Sequence, residues 1–386
     1  MKFDFEYFDR HVGRAGTNSM KWDEEPGVLP LWVADMDFPT APAIIEALRK
    51  RVEHGIFGYT HVPDEYFTAT TEWFERRHGW SISRESIIYT SGVVPAISAI
   101  LKAMTKPGDK VVVQTPAYNC FFSSIRNNGC LLASNELYNT GDGYVIDFDD
   151  LEAKLADPDV KVMIVCNPHN PVGRVWSRDE LLRIAKLCRK HNVFVISDEI
   201  HCELTYEGHD YTAYGSLGEE FAENAAICVS PSKAFNIAGL QIANIVAKNK
   251  EIRRKIDRAI NDNEVCDVNP FGVIATIEAY THGEEWLDGL RSYLFNNYRL
   301  VKDFFDTQFP KLAVTPLEGT YLAWIDVAAS GLSGKEFCAK LLKETRVMLN
   351  DGEMYGKGGE NFVRLNFACP RSTLSEAFSR LSTFSF

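Results

Sequence analysis

Three short runs of mostly apolar residues, 160–166 (VKVMIVC), 193–197 (VFVIS) and 225–229 (AAICV), constrain this 386-residue chain more than any other feature. Near-continuous apolar runs of five to seven residues are the pattern of strands covered on both faces. Further strand candidates stand at 87–89 (IIY) and at 110–114 (KVVVQ), the latter entered through the turn Lys106-Pro107-Gly108-Asp109. The intervening stretches have helical length. One covers roughly 94–104. Another covers 177–191 and opens with Ser177-Arg178-Asp179-Glu180, a capping box that satisfies free amides at a helix start. Strands alternating with crossover helices predict an α/β fold with a mostly parallel central sheet covered by helices.

The flanks follow another pattern. Residues 1–40 are irregular and rich in Trp, Gly and Pro. After about residue 280 comes a long helical stretch, then strand candidates at 312–315 and 321–327, a helix near 333–344 and a strand at 362–366. The expected division is an N-terminal arm (1–45) joining the small domain, a large domain (46–280), and a smaller α+β domain completed by 281–386. The length suits two or three domains.

Composition removes several function classes. With 41 basic and 53 acidic residues the formal charge is −12, and no Lys/Arg run breaks it. Such a surface repels phosphate backbones, so no nucleic-acid partner is expected. Nine cysteines include no Cys-x-x-Cys and no compact Cys/His cluster, so no structural metal is expected. Reduced thiols, a start without an apolar leader, and no stretch of about 18 apolar residues point to a cytoplasmic protein with no membrane span.

Ligands of parallel sheets bind beyond the carboxyl ends of the strands, and five such ends carry unusual residues. Thr90-Ser91-Gly92-Val93-Val94 passes into a helix, where free amides of Gly92, Val93 and Val94 would suit a phosphate; the alternative is a tight turn. Tyr118 follows the second strand, ready to stack on a flat ring or to fill core. Asn167-Pro168-His169-Asn170-Pro171 fixes a rigid loop that either presents the Asn170 amide to a ligand or is purely structural. Asp198 ends a buried strand, where a carboxylate needs a cation: a pyridinium nitrogen or a basic side chain. His201 lies three residues on. Lys233, between Ser230, Ser232 and Ala234, could be a desolvated amine able to attack an aldehyde, with the two hydroxyls on a phosphate, or an ordinary surface lysine. Taken jointly, the five ends ask for one ligand with a phosphate, an aromatic ring, a ring nitrogen and an aldehyde. Pyridoxal 5′-phosphate has all four.

With these motifs in view, the chain resembles the fold-type I pyridoxal-phosphate enzymes, the aspartate-aminotransferase-like superfamily, over nearly its whole length. More narrowly it resembles the cystathionine β-lyase (C–S β-lyase) branch that includes the bacterial MalY and PatB proteins. The marks are Trp32-Val33-Ala34-Asp35-Met36-Asp37-Phe38, Phe57-Gly58-Tyr59-Thr60, Gly92-Val93-Val94-Pro95-Ala96, Ser197-Asp198-Glu199-Ile200-His201, Ser232-Lys233-Ala234-Phe235-Asn236, and Arg364 to Pro370. The resemblance implies Lys233 as the Schiff-base lysine and catalytic base, Asp198 on the pyridine nitrogen, Tyr118 on the ring and Asn170 on its phenolic oxygen. It also implies Gly92 to Val94, Ser230 and Ser232 on the phosphate, and Arg364 on the substrate carboxylate. Tyr59 would reach the phosphate of a neighbouring subunit, so a homodimer with shared sites is implied.

Two departures from the aminotransferase pattern stand out. His201 replaces a common tyrosine near the ring oxygen, and Gln241 stands where many relatives have a phosphate-binding arginine. Asp35 and Asp37 either border the pocket or cap a turn, while Trp32 and Trp324 are expected in the core. The implied reaction is α,β-elimination from cystathionine or a related cysteine thioether, giving thiol (homocysteine), pyruvate and ammonia. The alternatives are an aminotransferase and a cofactor-binding protein with an added regulatory partner.

Overall fold

The computed structural model describes residues 2–265 and 267–386. Its centre is a seven-stranded sheet: β1 (Ile87–Thr90), β2 (Lys110–Thr115), β3 (Leu131–Glu136), β4 (Val160–Cys166), β5 (Phe194–Asp198), β6 (Ala225–Val229) and β7 (Ala243–Val246). The spatial order is β1-β7-β6-β5-β4-β2-β3. Only β7 runs against its neighbours, so the sheet is mostly parallel. β5 and β6 are buried at every residue and β4 at all but Lys161, as double-sided coverage requires.

Two strands of this sheet escape the apolar-run criterion. β3 (LLASNE) lies at the sheet edge, where Ser134, Asn135 and Glu136 are tolerated because one side has no partner strand. β7 (ANIV) is short and carries a buried Asn244, whose side chain accepts from the Tyr66 hydroxyl at 2.8 Å. Elsewhere boundaries agree within about a residue. The helix Arg178–Lys190 starts with both hydrogen bonds of the Ser177–Glu180 capping box.

A second sheet of four strands comprises β8 (Ala313–Val314), β9 (Leu322–Asp326), β10 (Asn350–Asp351) and β11 (Phe362–Asn366), ordered β8-β9-β11-β10. The N-terminal segment joins this part of the molecule: Leu29 and Pro30 pair in parallel with Val347 and Met348. The 25-residue helix Glu284–Gln308 packs beside it.

Large aromatic side chains anchor both regions. Trp73, Trp176, Trp286 and Trp324 are all fully buried, each worth about 4–6 kcal/mol as an upper bound on area removed from water. Trp176 also fixes the site: its indole N–H donates to the Cys166 carbonyl at 2.9 Å, and its backbone N–H to Asn167 Oδ1 at 3.0 Å. The loop after β4 is thereby pinned from both ends. No helix among the described residues is long and apolar enough to cross a membrane.

Candidate active site

Because β1, β2, β4, β5 and β6 run the same way, their carboxyl ends share one edge of the sheet. A cavity of about 370 Å³ opens there, roofed by the N-terminal segment and by β11. It brings together residues scattered over 273 positions of sequence, from Gly92 and Val93 through Tyr118, Asn170 and Asp198 to Lys233 and Arg364.

Lys233 sits in the turn after β6, and its Nζ donates to the Ala34 carbonyl at 2.6 Å. Burial, reinforced by the Arg364 cation, brings its amine down to about 8, against the opposing pull of Asp35 and Asp198. The amine therefore gives up its proton far more readily than a free lysine, with about a tenth of it neutral at pH 7.

Asp198 is the last residue of β5 and is 4% exposed. Its one side-chain hydrogen bond among the described residues comes from the Ile200 N–H at 3.1 Å. Burial pushes its carboxyl up to about 7. No Lys or Arg side chain forms an ion pair with it among the described residues, which removes the plain salt-bridge alternative. A buried carboxyl in this state is stabilised by a group that brings its own cationic N–H.

His201 lines the same cavity, 3% exposed, with Nδ1 unpaired and its ring edge-on to Tyr321. Burial, with Lys233 and Arg364 nearby, holds its imidazole well below the usual range, so it is neutral. Tyr118 precedes the helix Asn119–Asn127, and burial raises its phenol. Arg364, on β11, donates from Nη1 to Asn170 Oδ1 at 3.1 Å and from Nη2 to the Trp32 carbonyl at 2.9 Å. Its guanidinium lies 5.0 Å from the Tyr355 ring centroid, and its buried Nε has no partner.

At the other end of the cavity the helix Val93–Met104 begins at Gly92 (φ +152°) without a side-chain cap. Its first-turn amides have no intrahelical acceptor, which with the helix dipole favours an anion. Ser232 and Gln241 also line the cavity.

Some expected residues are placed otherwise. Ser230 does not line the cavity: its hydroxyl donates to the Ile242 carbonyl at 2.6 Å and accepts from the Ser232 N–H at 3.1 Å. Its only proton is spent, so it has no donor for an anion. Tyr59, expected to serve a neighbouring subunit, is 98% exposed and outside the cavity of its own chain, which is compatible with that expectation. Asp35 and Asp37 neither line the cavity nor merely cap a turn: Arg14 bonds both, and the buried Lys21 bonds Asp37 at 2.8 Å. Trp32 borders the cavity instead of the core, whereas Trp324 is in the core. Sequence reasoning assigned no site role to Ala34, Asn350 or Tyr355: Ala34 offers a backbone carbonyl to Lys233, Asn350 an amide donor to the Trp32 carbonyl, and Tyr355 a ring face to Arg364.

The aminotransferase class I and II family model matches residues 26–381. The chain is 43% identical over 380 residues to cystathionine beta-lyase PatB of Bacillus subtilis, covering 97% of this chain and 98% of that protein. Among solved structures it resembles cystalysin from Treponema denticola, which contains a pyridoxal 5′-phosphate cofactor (TM-score 0.94, 36% identity, 97% of each chain). It also resembles the PLP-bound C-S lyase from Staphylococcus hominis (TM-score 0.91, 31% identity, 97% of each chain).

Proposed function

As the chain belongs to the aminotransferase class I and II family, we propose that it is a pyridoxal-phosphate-dependent carbon–sulfur β-lyase. Its substrates are cystathionine or related cysteine S-conjugates, and its products a thiol, pyruvate and ammonia. The observation that carries this reading is the convergence of Lys233, Asp198 and Arg364 on one cavity.

The residues present fit the cofactor. The Asp198 carboxyl, raised by burial and without an ion-pair partner, suits a protonated pyridine nitrogen. The unpaired nitrogen of His201 and the amide of Asn170 suit the ring's phenolic oxygen. Tyr118 offers a face for the ring, and the uncapped helix start at Gly92 to Val94, with the Ser232 hydroxyl, suits the phosphate. Gln241, neutral, leaves that phosphate charge to the helix start. When bound, the cofactor supplies the electron sink that makes an amino acid's Cα–H acidic.

The chain's own residues then do the rest. Arg364 grips the substrate carboxylate, for which a guanidinium fork is matched in shape and charge. Lys233, with its lowered amine, takes the Cα proton at Nζ. The neutral imidazole of His201 adds no competing cation beside Lys233 and Arg364. The thiolate departs from Cβ.

The functional unit is a homodimer. Ile56, Phe57 and Tyr59 leave three large side chains more than half exposed in four residues, a surface suited to a second copy; Tyr59 would then serve the partner's phosphate site. The reducing cytoplasm suits its free thiols, buried Cys166, Cys188 and Cys228 among them.

Incubation with L-cystathionine tests the function: pyruvate and homocysteine are expected in equal amounts. Amino-group exchange with an added keto acid, without thiol, would replace the reading by aminotransferase.

A further inference from the structure

The segment from Trp32 to Phe38, whose first three residues line the cavity, contains no helix or strand. Its carbonyls therefore have no ladder to join, and side-chain donors hold nearly all of them. Trp32 is held by Arg364 and Asn350, Val33 and Asp35 by Asn366, and Met36 and Phe38 by Asn236. The Ala34 carbonyl takes Lys233 Nζ at 2.6 Å and the Tyr321 hydroxyl at 2.9 Å.

Asn236 differs from the other holders because it lies in the same turn as Lys233, three residues on. Its amide is fully committed to the strap. Oδ1 accepts from the Met36 N–H at 3.0 Å, and Nδ2 donates to the Met36 and Phe38 carbonyls at 2.9 and 2.8 Å. Its backbone is left-handed (φ +53°), a conformation Asn tolerates better than most residues. The turn that carries the amine is thus fastened directly to the segment that carries the amine's acceptor.

We propose that Asn236 is a positioning residue for proton transfer: it holds the strap so that the Ala34 carbonyl orients the Lys233 amine. A neutral amine has two N–H bonds and one lone pair. Fixing one N–H on Ala34 stops free rotation about Cε–Nζ and limits where the lone pair points. In the step itself the substrate Cα–H bond breaks, its electron pair stays on the substrate side, and the proton joins Nζ. The resulting ammonium makes a stronger, charge-assisted hydrogen bond to the same carbonyl, so the contact favours the product of proton transfer over its start. This inference rests on Lys233 being the base of the proposed reaction and adds the residue that aims it.

Asn236→Gly tests it, because glycine accepts the positive φ without strain while all three hydrogen bonds are lost. Asn236→Asp is the second variant; it keeps the acceptor for Met36 N–H and loses both donors. The first readout, on cofactor-free protein, is amide hydrogen exchange of residues 32–38, which should quicken at least tenfold relative to β6. The second is exchange of the α-proton of L-alanine in D2O by the cofactor-loaded protein. Alanine has no β leaving group, so this reads proton transfer whether or not thioethers are cleaved. In both variants the saturated exchange rate should fall at least tenfold, with the half-saturating alanine concentration within threefold of wild type. An unchanged rate in either folded variant overturns the inference. So does a loss shared equally with cofactor affinity and melting temperature, which would make the residue merely structural. No alanine exchange by the wild type would instead defeat the assignment of Lys233 as base.

Discussion

Arg364 Nη1 donates to Asn170 Oδ1 at 3.1 Å, joining a strand of the four-stranded sheet to the rigid loop after β4 across 194 residues of sequence. Both partners are buried, so the pair links the two sheets where they face the cavity.

Arg364→Lys should raise KM for amino-acid substrates at least tenfold with a smaller change in kcat, since an ammonium cannot reproduce the planar fork. Steady-state kinetics of the folded variant checks this. Arg364 is also the second cause, after burial, of the lowered Lys233 amine. In cofactor-free Arg364→Gln the pH midpoint for labelling Lys233 should therefore rise above the wild-type value of about 8.

Asp198 trades stability for function. Its folded-state value of about 7 lies above its ordinary value of 3.8, so between those limits the folded state binds more protons than the unfolded one. Stability of the cofactor-free protein therefore falls as pH rises through that window. Asp198→Asn should remove this share. Cofactor-free variant and wild type should melt together near pH 4, and the variant should melt a few degrees higher at pH 8. The same variant should bind cofactor more weakly. Glu199, also pushed up to about 7 by burial, retains its own pH dependence in both proteins.

Ser230 and Ser232 should separate cleanly. Ser230→Ala orphans the buried Ile242 carbonyl, at about 1–3 kcal/mol of stability, measurable by denaturant titration. Ser232→Ala, at a residue that lines the cavity, should leave stability nearly unchanged and weaken cofactor binding severalfold.

What was legible in the sequence follows from how each residue works. β4, β5 and β6 could be read because double-sided burial demands unbroken apolar runs, and Asp198 and Lys233 because a charge beside such a run needs an explanation. β3 and β7 could not, since an edge strand and a short reversed strand obey no such demand. Ser230 looks like a phosphate ligand beside Lys233, but only the fold reveals that the start of β7 brings the Ile242 carbonyl to its proton. The ion cluster of Arg14, Lys21, Asp35 and Asp37 is hidden for a similar reason: its members come from an irregular segment whose path has no periodicity. Ala34 acts through its backbone, which any residue would supply.

The most direct test of the account follows pyruvate and free thiol together when cofactor-loaded wild type and Lys233→Ala are given L-cystathionine. The account predicts equal, continuing release of both products by wild type and none by the variant. Thiol and pyruvate released by Lys233→Ala at the wild-type rate would contradict it.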